Sequence, residues 1–545
     1  MPDTIEPGSD TVRDEVVRSA VAALDFVAPA LSAGVDLLLP RLHAAIPTPE
    51  LARMSPEALA ASTASLWSLA AQRGAGEALV RVTPRGAGGI AEIVTDDMPY
   101  LVDSALAVLS RAGRVIHRVL HPVLTLRRDA AGTLLDVVSA ATPGAKRESL
   151  MRIEFGATGR AAAATSDTVE AALLRALADV RIVNAEQAAM RDLLSIAKQE
   201  IAGSPTPEAK PAQRFLDWLL DDNLLLLGHR HVAVHADGDL QVTQAESLGL
   251  LRDPAVTAFD TLRDMAAIPP GVRAAMLRPE PLVVAKANLR STVHRPQHCD
   301  ALITRSFDPD GQVLGLRVFL GLFAGPAYTR NPRSIPMFAE KVNAMLAAAG
   351  LDLGSHDGRA LRDILDTWPR DELFQAPQDA ILAGARRALD LQLRPRTALV
   401  LRHDPFERFV SAIVWLPRDV YNSQLRERVG GMLARAFGGS LATYYTAVGD
   451  EPLARINYIL ATTPGGIPAV DADALEQAVV QTARDFRDRL ADALEEAHGE
   501  GVAARLIARW GDAFPGAYRE GCTSAQGVAD LALAEQAMAD GRAAV

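Results

Sequence analysis

Two cysteines in 545 residues, Cys299 and Cys522, exclude a disulfide framework and fit a reducing compartment. Lysine is scarce as well: five residues against abundant arginine, which reflects genomic base composition. No run of about 18 apolar residues occurs, so no segment is expected to span a membrane. The N-terminus carries acidic residues where a signal peptide would have an apolar core. A cytoplasmic protein is the expectation. An excess of positive charge is missing too. The formal net charge is −11 and basic residues do not interleave with aromatics, which argues against a nucleic-acid partner. A dinucleotide site needs a glycine-rich turn between a strand and a helix. The near match, Gly499-Glu500-Gly501-Val502-Ala503-Ala504, follows a helical stretch and reads as a helix break. Neither cysteine sits in a nucleophile context.

What is present is an ordinary globular composition, 49% apolar and 23% charged, long enough for two to four domains. The best-marked stretch runs from Thr95 to Ser104. The apolar run Ile90–Val94 enters it, and an amphipathic helix leaves it with Met98, Leu101, Val102, Ala105, Leu106 and Leu109 on one face. Asp96 and Asp97 read as helix caps, with Pro99 in the first turn and Gly113 at the end.

Taken in order, residues 1–15 are polar and expected to be loose, and residues 1–76 form a helical segment. Residues 77–184 form an α+β unit of two strands, helix, strands, helix, with helices on one sheet face. Within it, 115–126 reads as one long strand and 166–183 as the closing helix. A helical linker covers 185–210, broken at Gly203–Pro207. Residues 211–333 form a mixed α/β unit, with a hairpin across Asp308–Gly311. A helical segment covers 334–394. Residues 395–500 repeat the first unit's order, which suggests a distant duplication, and end in one long helix, 471–498. Residues 501–545 are helical and Ala-rich.

Several motifs carry a family resemblance. They are Asp-Asp-Met-Pro-Tyr-Leu-Val-Asp-Ser at 96–104; His117 with His121-Pro122-Val123-Leu124; and Arg290-Ser291-Thr292-Val293-His294-Arg295. Phe319–Phe323, His356-Asp357-Gly358, Trp368–Gln375, Asp404-Pro405-Phe406 and Leu416–Asp419 follow in order. Together they resemble the N-terminal, non-catalytic segment of the large bacterial NAD-dependent glutamate dehydrogenases. The resemblance implies two ACT-like, ferredoxin-like modules at 77–184 and 395–500. They flank a PAS-like mixed module at 211–333, joined by helical segments. It also implies NAD as cofactor of the parent enzyme, none held by this chain, and a dehydrogenase domain after residue 545. The chain would then be a fragment, a split gene product or a shortened relative. Its partners would be other copies of itself, a glutamate dehydrogenase catalytic domain and an amino-acid effector. Two other classes stay open: a stand-alone amino-acid sensor and a self-associating scaffold.

No catalytic residue is assigned. Lys286 is the one lysine in an apolar, structured neighbourhood, and a lysine without a cofactor site does not make an enzyme. Lys286, Asn288, Arg290, Ser291, Thr292, His294 and Arg295 form the densest polar patch, suited to a carboxylate or phosphate and spaced as a loop. Asp97 and Tyr100 are the second candidate pair. In ligand-binding ACT modules a glycine follows the corner proline; here Tyr100 stands there and fills the space. Two histidine groups, His294/His298 with Cys299 and Asp300, and His229/His231/His235, have the residue types of metal ligands but read as structural.

Overall fold

Period-two burial on strands and 3.6-residue apolar faces on helices sort the chain into sheets and covering helices. The computed structural model describes residues 9–28, 34–157, 165–235, 238–263, 268–449, 451–463, 466–484 and 486–541. Two units form: Met1–Met265 with Pro279–Thr329, and Ala266–Arg278 with Arg330–Val545.

The first unit begins with α1 (Ser9–Val27), α2 (Val35–Leu42), α3 (Thr48–Leu51) and α4 (Pro56–Ala70). The stretch expected to be loose up to residue 15 is helical from Ser9. Arg13 pins it by donating to the carbonyls of His43 (2.8 Å) and Ile46 (2.9 Å), while Ala20 and Leu24 enter the core. Ser55 caps α4, accepting from the Ala58 N–H at 3.2 Å.

Then follow β1 (Leu79–Arg85), β2 (Gly88–Asp96), α5 (Leu101–Arg111), β3 (Arg114–Leu120), β4 (Val123–Arg128), β5 (Leu134–Val137) and β6 (Lys146–Ala157). All pairings are antiparallel, and β3 and β4 lie end to end along β6. The single strand expected over 115–126 is therefore two. Pro122 has no N–H for a ladder and instead accepts from the Leu150 N–H at 3.0 Å. Helices cover both faces of this sheet rather than one. Leu59, Leu66 and Trp67 of α4 share a core with Val94, Leu124, Leu126 and Leu150, while α5 and the next helix pack against β3 and β1.

That next helix, α6 (Ser166–Glu200), does not stop at residue 183. Its 35 residues make a rod of about 52 Å, long enough to serve two sheets. Its first half packs on the first sheet, and its second half carries Gln187, Met190, Leu194 and Ala197 to the next one. The chain continues with α7 (Ala209–Trp218), β7 (Leu224–Val234) and β8 (Leu240–Gly249), then passes through α8 (Pro270–Met276) of the second unit. It returns as β9 (Leu282–Arg290), β10 (His298–Phe307), β11 (Val313–Phe323) and α9 (Gly325–Thr329). These strands pair antiparallel in the order β8-β7-β11-β10-β9, one sheet within the stretch expected to be PAS-like. Its β10–β11 hairpin turns where expected: the Asp308 carboxylate accepts from the Asp310 and Gln312 N–H groups, and Gly311 supplies a φ of 80°.

After α8, the second unit resumes with α10 (Phe338–Ala349), α11 (His356–Asp366), α12 (Arg370–Gln375) and α13 (Gln378–Leu393). A sheet follows: β12 (Ala398–His403), β13 (Phe409–Pro417), α14 (Ser423–Ala436), β14 (Ser440–Ala447), β15 (Leu453–Ala461) and α15 (Ala472–Ala483). Its order, β12-β13-β15-β14, repeats β1-β2-β6-β3 strand for strand, with α14 and α15 in the places of α5 and α6. Here too both faces are covered. Val410, Ala412 and Val414 pack with α14 and α15, and Trp415 and Arg402 meet Trp368 and Glu372 of the preceding helical segment.

The long helix expected over 471–498 is broken. Arg484 is extended, and α16 (Phe486–His498) starts afresh. Val479 and Ala483 belong to the sheet core, whereas Phe486, Leu490 and Leu494 build a separate core with α17 (Glu500–Trp510), α18 (Gly516–Gly521) and α19 (Ser524–Asp540). One straight helix could not serve both. Among the described residues, no helix is long and apolar enough to cross a membrane.

Candidate ligand site

The corner between β2 and α5 is built by charge, not by capping. Asp96 ends β2 and is bound by Arg73 (2.7 Å) and by Arg181 of α6 (2.5 Å). Arg73 is buried and also bridges to Glu148, which Arg128 holds from the other side at 2.7 Å. Burial pushes the Asp96 and Glu148 carboxyls up, but their arginine partners outweigh it and hold both below their ordinary range. Asp97 pairs with Arg147 at 2.9 Å. The capping role expected of Asp96 and Asp97 is therefore overturned. α5 starts only at Leu101, Pro99 lies outside it, and its cap position is Tyr100, at φ 72° with no side-chain cap bond. The aspartates are too far upstream to reach the free N–H groups of the first turn.

The Lys286–Arg295 patch is not one loop. Lys286, Asn288 and Arg290 lie on β9, and only 291–297 turn towards β10. Lys286 donates to Asp300 on the neighbouring strand β10 (2.6 Å) and to the Tyr328 hydroxyl of α9 (2.8 Å). Burial raises the Asp300 carboxyl, opposed by Lys286, and pushes the neighbouring Cys299 thiol up to about 12. Asn288 is exposed and accepts from the Asp260 N–H at 3.3 Å. Ser291 is buried and ties the turn through the Val293 N–H and carbonyl, while Arg295 donates to the Phe323 carbonyl at 2.6 Å.

The two candidate groups meet. His294, at φ 64°, presses its ring on Tyr100, with centroids 5.1 Å apart. Its Nδ1–H donates to Asp103 at 2.8 Å, and its backbone N–H donates to the Ser104 hydroxyl at 3.0 Å. Arg111 donates to the Ser291 carbonyl, and Thr292 donates to Asp179 of α6 at 2.7 Å. The space a ligand would occupy in an open corner thus holds Tyr100 and His294 of the same chain. Asp103 and Ser104 belong to the corner motif at 96–104, yet nothing in their spacing marks them as partners of a turn about 190 residues away. Asp179 had no signal at all.

Beside the turn opens a groove of about 400 Å³. Ile182, Leu250, Val256 and Leu289 give it apolar walls; Asp179, Arg252, Asp253, Arg290 and Thr292 give it charge and hydrogen-bonding groups. Burial raises the Asp179 carboxyl, opposed by the Thr292 hydroxyl. Of the sequence candidates, Arg290 and Thr292 line this groove, Tyr100 and His294 plug the corner, and Lys286, Arg295 and Asp97 are engaged elsewhere.

Among the described residues, no three His, Cys, Asp or Glu side chains gather as metal ligands would. His298 bonds the Ala287 carbonyl (3.1 Å), His229 that of Glu246 (2.9 Å), and His231 and His235 meet Thr243 and Gln241.

Comparison with known proteins matches four family descriptions. These are glutamate dehydrogenase ACT1 domain at 38–172, helical motif 1 at 335–394, ACT2 domain at 398–487 and helical motif 2 at 493–537. The chain is similar to the NAD-specific glutamate dehydrogenase of Halomonas elongata, 31% identical over 518 residues, covering 92% of this chain and 32% of the relative. It is 32% identical over 449 residues to that of Pseudomonas aeruginosa, covering 81% and 27%. With that of Mycobacterium tuberculosis it shares 29% over 496 residues, covering 86% and 29%. The chain spans about a third of the length of these relatives.

Proposed function

We propose, since the chain belongs to the family of large bacterial NAD-dependent glutamate dehydrogenases, that it is the regulatory and assembly segment of such an enzyme. The parent reaction would oxidise L-glutamate to 2-oxoglutarate and ammonia, with NAD as hydride acceptor, in the cytoplasm. In this reading the segment holds neither NAD nor the reacting atoms. It contacts other copies of itself and the catalytic domain. The supporting observation is which parts of the family match: ACT and helical-motif descriptions account for the matched stretches of the chain.

Regulation would act through the groove beside the Tyr100–His294 contact. Arg290 suits the carboxylate of an amino acid, Asp179 or Asp253 its ammonium, and the walls of Ile182, Leu250, Val256 and Leu289 an aliphatic side chain. A ligand there touches α6, the end of β8 and the end of β9 at once. It would therefore bias how the PAS-like and first ACT-like sheets hold together.

Two measurements test this. The chain alone should form no NADH from glutamate and NAD; turnover would place the chemistry within it and overturn the reading. Thermal melting with glutamate, aspartate and leucine tests the effector. A ligand at 100 times its Kd stabilises by about 2.7 kcal/mol, and Arg290→Gln should abolish that shift. No shift with any amino acid removes the effector and leaves assembly.

A further inference from the structure

A second cleft lies in the other unit, at the corner of the second ACT-like sheet that corresponds to the one plugged by His294. It holds about 260 Å³ and lies where the α14 entry, the α15–α16 break and the α18 turn come together. Four arginines line it: Arg428, Arg484, Arg489 and Arg519. Asp419 is the carboxylate on its lining. The arginines are not all neutralised. Arg484 is committed to Asp492. Arg519 is held by the carbonyls of Phe514 (2.7 Å) and Asp512 (3.0 Å), which fix its guanidinium without cancelling its charge. Arg489 donates to the Arg484 carbonyl at 2.7 Å, which orients it at the helix break. Arg428 stands exposed on α14 with no ion-pair partner among the described residues.

Guanidinium groups at close quarters repel one another, and the repulsion is relieved by a bound anion that accepts from several at once. The entry to the 14-residue helix α14, capped by Asn422, adds its positive end to the same cleft. The volume is below the roughly 300–1,000 Å³ of drug-sized ligand pockets, so the occupant is small. We propose that this cleft binds a small polyanion bearing two or more carboxylate or phosphate groups, with Arg428 and Arg519 as its principal charge partners. The site is separate from the groove by Arg290 and would stand if that groove bound nothing.

The test is isothermal titration of this chain at low ionic strength with succinate, tricarballylate and pyrophosphate. These probes separate carboxylate from phosphate recognition and raise the charge stepwise. Saturable binding of one molecule per chain is expected, tighter for the more highly charged probes and weakened by added salt. Arg428→Gln should weaken it by about tenfold or more, the usual cost of losing a charged hydrogen bond. Arg428→Glu should abolish it, and Arg359→Gln, exposed on α11 and outside the cleft, should leave it unchanged. Arg428 is exposed, so its replacement leaves the core intact. The proposal is overturned by an absence of saturable heat with all three probes. It is equally overturned by wild-type affinity in Arg428→Glu.

Discussion

The two ACT-like sheets share one topology and differ at the corner where their second strand meets their first helix. In the first, Asp96 is locked by Arg73 and Arg181, and His294 from the PAS-like sheet lies on Tyr100. In the second, β13 ends at Pro417, and a short turn leads to the Asn422 cap, whose side chain accepts from the Leu425 N–H at 2.8 Å. Beyond it lies an arginine-lined cleft. The same fold can therefore use the same corner as a joint between sheets or as an open recess. Strand order does not decide which. The choice rests on what the rest of the chain brings to the corner.

Removing the lock should cost most. Arg73→Ala leaves the buried Glu148 to Arg128 alone and Asp96 to Arg181 alone, and breaking such a network costs about 3–5 kcal/mol. The contrasting change, Arg418→Ala at the second corner, removes a long 3.3 Å bond to the Gly449 carbonyl and should cost under about 1 kcal/mol. Equal effects in thermal unfolding would erase the distinction between the corners.

The pH dependence should have the same sign in the two units, stability rising with pH, but should fall in different pH windows. The folded-state values of Asp96 and Glu148 lie below the ordinary 3.8 and 4.5. Their stabilisation is full above the ordinary values and is lost as pH falls through the depressed ones. In the second unit, burial lowers Lys341 from 10.5 to about 8, with Arg402 adding to the shift; its Nζ donates to the Leu373 and Ala376 carbonyls. Between those two values the unfolded chain holds the proton and the folded one does not, so this group makes stability rise with pH. Local hydrogen exchange should show acid loosening around α5 and alkaline protection around α10. Lys341→Met should remove the second effect and spare the first.

Smaller changes address the joint itself. His294→Ala loses a half-exposed bond to Asp103 and a ring contact, and should loosen α5 by about 1 kcal/mol in exchange measurements. Tyr100→Gly should change stability least. Relief of a left-handed backbone, worth about 1 kcal/mol, offsets the lost ring contact. If Tyr100→Gly instead proves as costly as Arg73→Ala, the ring rather than the ion network holds the corner.

Much of this architecture was legible along the chain. The Asp308–Gly311 hairpin and the two-strand, helix, strands, helix order of both ACT-like units follow from local chemistry. Errors arose where tertiary packing overrode a local rule. Asp96 has the composition of a cap but answers to arginines from three separate segments, Arg73 directly, Arg181 from α6, and Arg128 through Glu148. α6 continues past residue 183 because a second sheet supports its far half, and the helix after Asp471 breaks because two cores claim its two ends.

By itself the sequence determined the module order, the family motifs and the residue types able to meet an anion, since these depend on neighbours a few positions apart. Only the tertiary structure decided which candidates face each other. Tyr100 and His294 cancel as free ligand groups because they are spent on one another across about 190 residues, a separation no local pattern encodes. The Arg428 cleft exists because a helix break and a distant turn happen to close around α14.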